Sequence, residues 1–233
     1  MKEEIFKFPS TPHIVILGNK EIRGDKIMSA DERKDFLRNE ITVEEKIDGA
    51  NLGISFDREG KLYAQSRGNY LDLPCGGQWK KLSAWLNSKV DSLSEVLKNR
   101  YILFGEWCYA QHSIEYDSLP DWFLGFDIYD KVGKRFFSCA KRNDIFKKIG
   151  IFQTPKLGYG KYTLQELIKL MGMSQLGNRS AEGIYLRLDK GAWLIQRGKL
   201  VQPDFIQRIE QHWSRGGIKV NQIKAEKIRE ASL

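Results

Sequence analysis

The 233-residue chain is 41% hydrophobic and 29% charged, a balance that suits one large folded domain, with or without a small appendage, and excludes a disordered chain. A net charge of +8 is compatible with a polyanionic partner such as a nucleic-acid backbone but does not select one by itself. No apolar run approaches the ~18 residues that a membrane span needs, and MKEEIFKFPS places acids and a proline where a secretion signal is apolar.

In chain order, ITVEEK at 41–46 reads as a strand ending at Lys46, just before a turn made by Asp48 and Gly49. Leu52, Ile54 and Phe56 then alternate with small or polar residues, and DREG turns the chain into KLYAQS, an antiparallel hairpin. Trp79, Leu82, Leu86, Val90, Leu93 and Leu97 recur at three- and four-residue steps, so the spacing predicts one amphipathic helix over 78–99. YILFGEW and DWFLGFDIYD read as buried strands, the second followed by a turn at 131–134. The run at 139–150 reads as a helix ended by Gly150. Thr163 with Glu166 has capping-box spacing ahead of Leu164, Leu167 and Leu170. GIYLRL, a DKG turn and AWLIQRGKLV make a second hairpin, and Pro203 starts a helix carrying Phe205, Ile209 and Trp213. Hairpins interspersed with helices imply an α+β fold with mainly antiparallel sheets, and two sheets with a groove between them fit the pattern. Cys75, Cys108 and Cys139 are widely spaced and form no CxxC pair, which reads as reduced thiols in a cytoplasmic protein without a zinc site.

Lys46 is either the last solvated residue before a turn or a nucleophile. Lysine is protonated at neutral pH, with an ordinary pKa near ~10.4, and becomes nucleophilic when burial or nearby cations lower that value. A strand end before a tight turn puts it on a rigid element at the mouth of a groove. Asp48 is placed to orient it or a metal-bound water, and Gly49 lets the backbone approach a ligand. Further candidates follow in order: Arg67 in SRG, Glu106 in FGEW, Phe126 beside Asp127 in FLGFDIYD, Glu182 in AEGIYLR, then Arg197 and Lys199 on one face of LIQRGKL. His112 in AQHSIEY is a further candidate for ligand contact. Each has an ordinary structural explanation when taken alone, as a strand residue, a core ring or a solvated stripe.

Taken together and in this order over 41–205, these elements resemble the covalent nucleotidyltransferase superfamily of nucleic-acid ligases and capping guanylyltransferases. EKIDGAN, GEWCYAQHSIEYDSLPDWFLGFDIYD and GKLVQPDFIQ are most similar to ATP-dependent RNA ligases of the RNA ligase 2 type. The resemblance implies an ATP-grasp-like nucleotidyltransferase domain over 1–205, its antiparallel sheets flanking a nucleotide groove. A short, basic, helical extension over 206–233 is expected in place of an OB-fold domain. Lys46 would attack the α-phosphate of ATP to give lysyl-AMP. The AMP would pass to an RNA 5′-phosphate, and a 3′-hydroxyl would then seal the strand. Glu106 would bind the ribose, Phe126 would stack on adenine and Arg67 would meet ribose or phosphate. Glu182 would hold Mg²⁺ or Mn²⁺, Lys199 would join Lys46 as a catalytic residue by neutralising the α-phosphate, and Glu45 and Asn51 would line the pocket.

Phosphoryl transfer calls for that set, with cations on the phosphate oxygens and an in-line nucleophile; Mg²⁺ prefers carboxylates, water and phosphate oxygens. Where the family commonly has Lys-x-Lys, this chain has Arg197-Gly198-Lys199; arginine keeps the charge but does not give up a proton as lysine does. The implied partners are ATP and RNA with 5′-phosphate and 3′-hydroxyl ends, in a setting of RNA repair, with room for a partner protein that supplies substrate binding and no role for a membrane. Arg208, Arg215, Lys219, Lys224, Lys227 and Arg229 are open to two readings, phosphate contacts or the solvated face of a helix packed by Phe205, Ile209 and Trp213. The rival functions are a DNA ligase, a polynucleotide 5′-adenylyltransferase, a capping guanylyltransferase, or a nucleotide- or RNA-binding module without catalysis.

Overall fold

The structure is a computed structural model that describes residues 4–18, 26–203, 205 and 217–224. Its strands are Ile41–Lys46 (β1), Ala50–Phe56 (β2), Leu62–Gln65 (β3), Tyr101–Trp107 (β4), Phe123–Asp130 (β5), Arg135–Phe136 (β6), Phe152–Gln153 (β7), Lys156–Gly160 (β8), Gly183–Lys190 (β9) and Trp193–Val201 (β10). The helices are Ala30–Leu37 (α1), Leu82–Asn87 (α2), Val90–Leu97 (α3), Cys139–Ile149 (α4) and Leu164–Leu170 (α5). One sheet runs β10-β9-β1-β8; the other runs β3-β2-β4-β5-β6, with β7 added in parallel beside β5. This is the expected α+β fold of mainly antiparallel sheets, and no OB-fold barrel occurs among the described residues.

Alternation along the strands decides which side chains reach the groove. In β1, Ile41 and Val43 enter a core with Phe36, Leu167, Ile184, Leu186 and Leu200, behind the sheet. Glu44 and Lys46 therefore point the other way. In β4, Leu103 and Trp107 enter the core beneath α2, α3 and α4, while Ile102 and Phe104 join an aromatic cluster with Phe8 and Phe126. Glu106 continues that second face. Each fully buried leucine or phenylalanine in these cores contributes ~1.5–3 kcal/mol.

The segment 78–99 is not one helix. A 3-10 turn covers Gly77–Trp79, α2 stops at Asn87 and α3 begins at Val90. Ser88 Oγ donates to the Trp85 carbonyl at 2.7 Å and Ser92 Oγ to that of Lys89 at 3.1 Å, so serine hydroxyls compete for carbonyls around the break. The break lets Leu82 and Leu86 of α2 and Leu93 and Leu97 of α3 share one core. Helix α1 was not expected; Ser29 and Glu32 close a capping box at its start. Of the helix expected from Pro203, Phe205 is buried, while Ile209 and Trp213 lie outside the described residues, as do Arg208, Arg215, Lys227 and Arg229.

The second hairpin has the expected strands, and Lys199 stands opposite Tyr185. A Cβ at Gly183 would lie 2.0 Å from the Leu200 carbonyl oxygen, so glycine is what allows β9 and β10 to close there. The N-terminal segment runs along the exposed edge of β10: Lys199 N–H donates to the Pro12 carbonyl at 2.9 Å, and Ile14 N–H donates back to that of Lys199 at 3.0 Å.

Candidate active site between the two sheets

A cavity of about 490 Å³ opens between the sheets. Strand β1 brings Lys46 to it at its last position, and the β1–β9 register sets Lys46 opposite Gly183. Glu182 thus lies just past the end of the pairing, and its Oε2 is 2.5 Å from Lys46 Nζ. Burial pulls the Lys46 pKa down, but the carboxylates of Glu182, Glu106 and Asp48 outweigh it and hold the value above the ordinary one. Burial pushes Glu182 up to about 7, against the pull of Lys46. The lowering that activates a lysine nucleophile is thus opposed here by the neighbouring carboxylates.

Asn51 on β2 stands opposite Glu106 on β4. Of the seven buried side-chain polar atoms without a hydrogen-bond partner among the described residues, Asn51 Oδ1, Glu106 Oε2 and Thr154 Oγ1 belong to residues that line this cavity. An unpaired buried polar atom costs ~1–3 kcal/mol, so such a cluster marks where a polar ligand supplies the missing bonds. Burial raises the Glu106 carboxyl well above its usual range.

Phe126 faces the same space from β5, with the Phe8 ring edge-on at 5.2 Å. Its carbonyl accepts from Nη1 of both Arg142 and Arg187, the latter at 3.2 Å. Arg142 also grips Glu44 through both guanidinium nitrogens, and Arg187 Nη1 donates to Asp127 Oδ1 at 2.7 Å. These buried arginines, with Phe8, Thr11 and Tyr185 on the cavity wall, escaped the sequence reading. Charged residues inside apolar strands and helices, such as Arg187 in GIYLRL, were the signal available for two of them.

The remaining candidates divide. Arg67, just after β3, and Lys199 on β10 line the cavity, as does His112, whose ring nitrogen is 3.0 Å from Gln78 Oε1 and whose pKa burial lowers. Glu45 lines it too, but its carboxylate accepts from Ser174 Oγ and from Gln175 N–H at 2.9 Å, anchoring the loop before β9. Arg197 is not on the wall. It shares a face with Lys199 but donates to Asp127 Oδ2 at 3.0 Å and lies 4.1 Å over the Phe136 ring. Asp48 lines the cavity as well, and its Oδ2 accepts from Ser113 and Ile114 N–H at 2.7 and 2.9 Å.

No group of three or more His, Cys, Asp or Glu side chains forms a ready metal cage among the described residues. Glu182 in an open cavity fits a hard divalent cation, which binds through one or two carboxylates, water and substrate phosphates. No helix among the described residues is long and apolar enough to cross a membrane.

Among solved structures, a mutant of Naegleria gruberi RNA ligase with ATP and Mn is similar at a TM-score of 0.61 and 16% identity, over 75% of this chain and 53% of that one. The same ligase with PPi gives 0.60 and 18%, over 74% and 52%, and another mutant with AMP and Mn gives 0.58 and 15%, over 75% and 53%. At these identities the likeness is one of fold, and the chain spans about half the length of those structures. No curated protein matches the sequence. The sequence profile described as RNA ligase matches residues 39–201, well over half of the chain and every strand named above. The chain belongs to the RNA ligase family.

Proposed function

We propose that the protein is an ATP-dependent RNA ligase that joins a 3′-hydroxyl to a 5′-phosphate through AMP bonded to Lys46 and then through an AMP-capped RNA end. The observation that carries this reading is Lys46 Nζ against Glu182 in a cavity whose opposite wall offers the unpaired Glu106 Oε2 and Asn51 Oδ1. Family membership supports it, as do the Naegleria structures with ATP or AMP and Mn.

Phe126 offers a ring face to adenine, while Glu106 and Asn51 accept hydrogen bonds from the ribose hydroxyls. Lys199 and Arg67 bring positive charge to the phosphates. When bound, Mg²⁺ or Mn²⁺ supplies positive charge at the α-phosphate, and Glu182 is the side chain to hold it. A Glu182 carboxylate engaged elsewhere no longer stabilises the ammonium, and burial then lowers the Lys46 pKa. Nζ gives up one proton to solvent and bonds to the α-phosphorus as the bond to the bridging oxygen breaks, and pyrophosphate departs with the second amine proton. An RNA 5′-phosphate oxygen next attacks the AMP phosphorus, the P–N bond breaks and Nζ regains a proton beside Glu182. A 3′-hydroxyl then displaces AMP from the activated 5′ end.

The test is incubation with α-labelled ATP and Mg²⁺ or Mn²⁺, followed by a denaturing gel, for the wild type and Lys46→Ala. A label that is stable to alkali, lost in acid and absent from the variant supports a lysyl phosphoramidate; RNA and DNA ends are then compared as substrates. An unlabelled wild-type protein of unmodified intact mass refutes the proposal. Labelling without sealing points to a polynucleotide 5′-adenylyltransferase, and sealing of DNA alone points to a DNA ligase.

A further inference from the structure

We infer that the segment 217–224, beyond the family match, is a clasp that sets the position of Lys46, with Asn221 and Tyr116 as its positioning residues. The inference rests on the adenylation proposed for Lys46. Asn221 is 3% exposed. Its Oδ1 accepts from Tyr116 N–H at 2.8 Å, and its Nδ2 donates to the carbonyls of Cys108 at 2.9 Å and Ala110 at 3.2 Å. The backbone continues the grip. Asn221 N–H donates to Tyr109 at 3.1 Å and Gln222 N–H to Tyr116 at 2.8 Å, while Gln111 and Leu119 N–H donate to the Lys219 and Gln222 carbonyls at 2.9 and 3.0 Å.

The loop held this way, 108–119, contains no helix or strand of its own, so its polar backbone depends on such partners. It passes the constraint on through Tyr116. While Tyr116 N–H meets Asn221, the Tyr116 hydroxyl accepts from Asp48 N–H at 2.8 Å. Ser113 and Ile114 N–H hold the Asp48 carboxylate from the other side. Asp48 stands two residues after Lys46, in the turn that fixes where β1 ends. A continuous chain of bonds thus runs from the clasp to the turn behind the nucleophile, although no residue of 217–224 lines the cavity. Attack in line on phosphorus tolerates little displacement, and a shift of about 1 Å costs up to ~100-fold in rate.

Single-turnover labelling of the full chain by ATP tests this, with the wild type, Asn221→Ala and Tyr116→Phe compared over a range of ATP concentrations and with their melting temperatures measured. The expected result is a ~10- to 100-fold loss of the maximal labelling rate in both variants, with the half-saturating ATP concentration changed less than ~3-fold. Tyr116→Phe removes one hydroxyl and keeps the ring and the backbone bonds of the clasp, so it reports even where Asn221→Ala fails to fold. Variants that melt earlier but label at the wild-type rate per folded molecule overturn the inference, because the segment then only adds stability. A loss confined to ATP affinity overturns it too. No labelling in the wild type refutes the adenylation reading, and the inference falls with it.

Discussion

Replacing Arg142 by methionine tests whether the wall behind the cavity between the sheets is held by charge. Arg142 and Glu44 have side chains 0% and 3% exposed, and the guanidinium meets both carboxylate oxygens. Without the arginine, Glu44 is a buried carboxylate stripped of the cation that hydrogen-bonds both its oxygens, a loss of ~3–5 kcal/mol. For a chain of this size each kcal/mol lowers the melting temperature by ~2–4 °C, so the single variant should melt ~6–20 °C below the wild type. Exchanging both partners, Arg142→Met with Glu44→Leu, removes the stranded charge and should restore most of the loss, since a buried pair replaced by apolar residues of similar volume is often close to neutral. Thermal and urea unfolding of the wild type, both single variants and the double variant give the coupling directly. A single variant within ~1 kcal/mol of the wild type, or a double variant as damaged as the single one, refutes the assignment of Glu44 as a charge that depends on Arg142.

Gly183→Ala should destabilise the protein by ~1–3 kcal/mol or more and lower labelling of Lys46, because its Cβ would meet the Leu200 carbonyl beside Glu182; unfolding curves and the ATP assay read the two effects. Glu106→Ala should raise the half-saturating ATP concentration by ~10-fold through loss of one buried hydrogen-bond partner. Replacing ATP by dATP should cost the wild type more than it costs this variant if the carboxyl meets the 2′-hydroxyl. Burial pushes the Cys139 thiol up to about 11, so its thiolate fraction at pH 8 is only ~10⁻³ and grows about tenfold per pH unit. Mass spectrometry after brief iodoacetamide treatment should find Cys139 and the fully buried Cys108 protected at pH 8 in the folded protein, with Cys139 gaining label as the pH is raised toward 11.

What local pattern could reveal and what it could not are both visible around the cavity. The end of β1 at Lys46 and the β9–β10 hairpin follow from period-two alternation and turn residues, which act over a few positions, whereas the contact of Lys46 with Glu182, 136 positions on, does not. Alternation also set Arg197 and Lys199 on one face, as found, but not that Arg197 is drawn off by Asp127, a residue 70 positions earlier. The Arg142–Glu44 pair joins residues 98 apart and leaves no mark on either neighbourhood. Helix α1 has a single buried residue, Phe36, and so no apolar stripe; Ser29 and Glu32 were its only local sign. The periodicity over 78–99 was sound in naming the buried leucines, but periodicity says which side chains share a core and not whether the backbone between them is continuous.

The contact between Lys46 and Glu182 also bears on how safely such a residue is carried. An amine that reacts with phosphorus anhydrides reacts as well with acyl phosphates, thioesters and other electrophiles in a crowded solution. With its pKa above the ordinary ~10.4, the neutral fraction of Lys46 at pH 7.4 stays below ~10⁻³. On the proposed chemistry the side chain stays latent until phosphate and a cation engage Glu182.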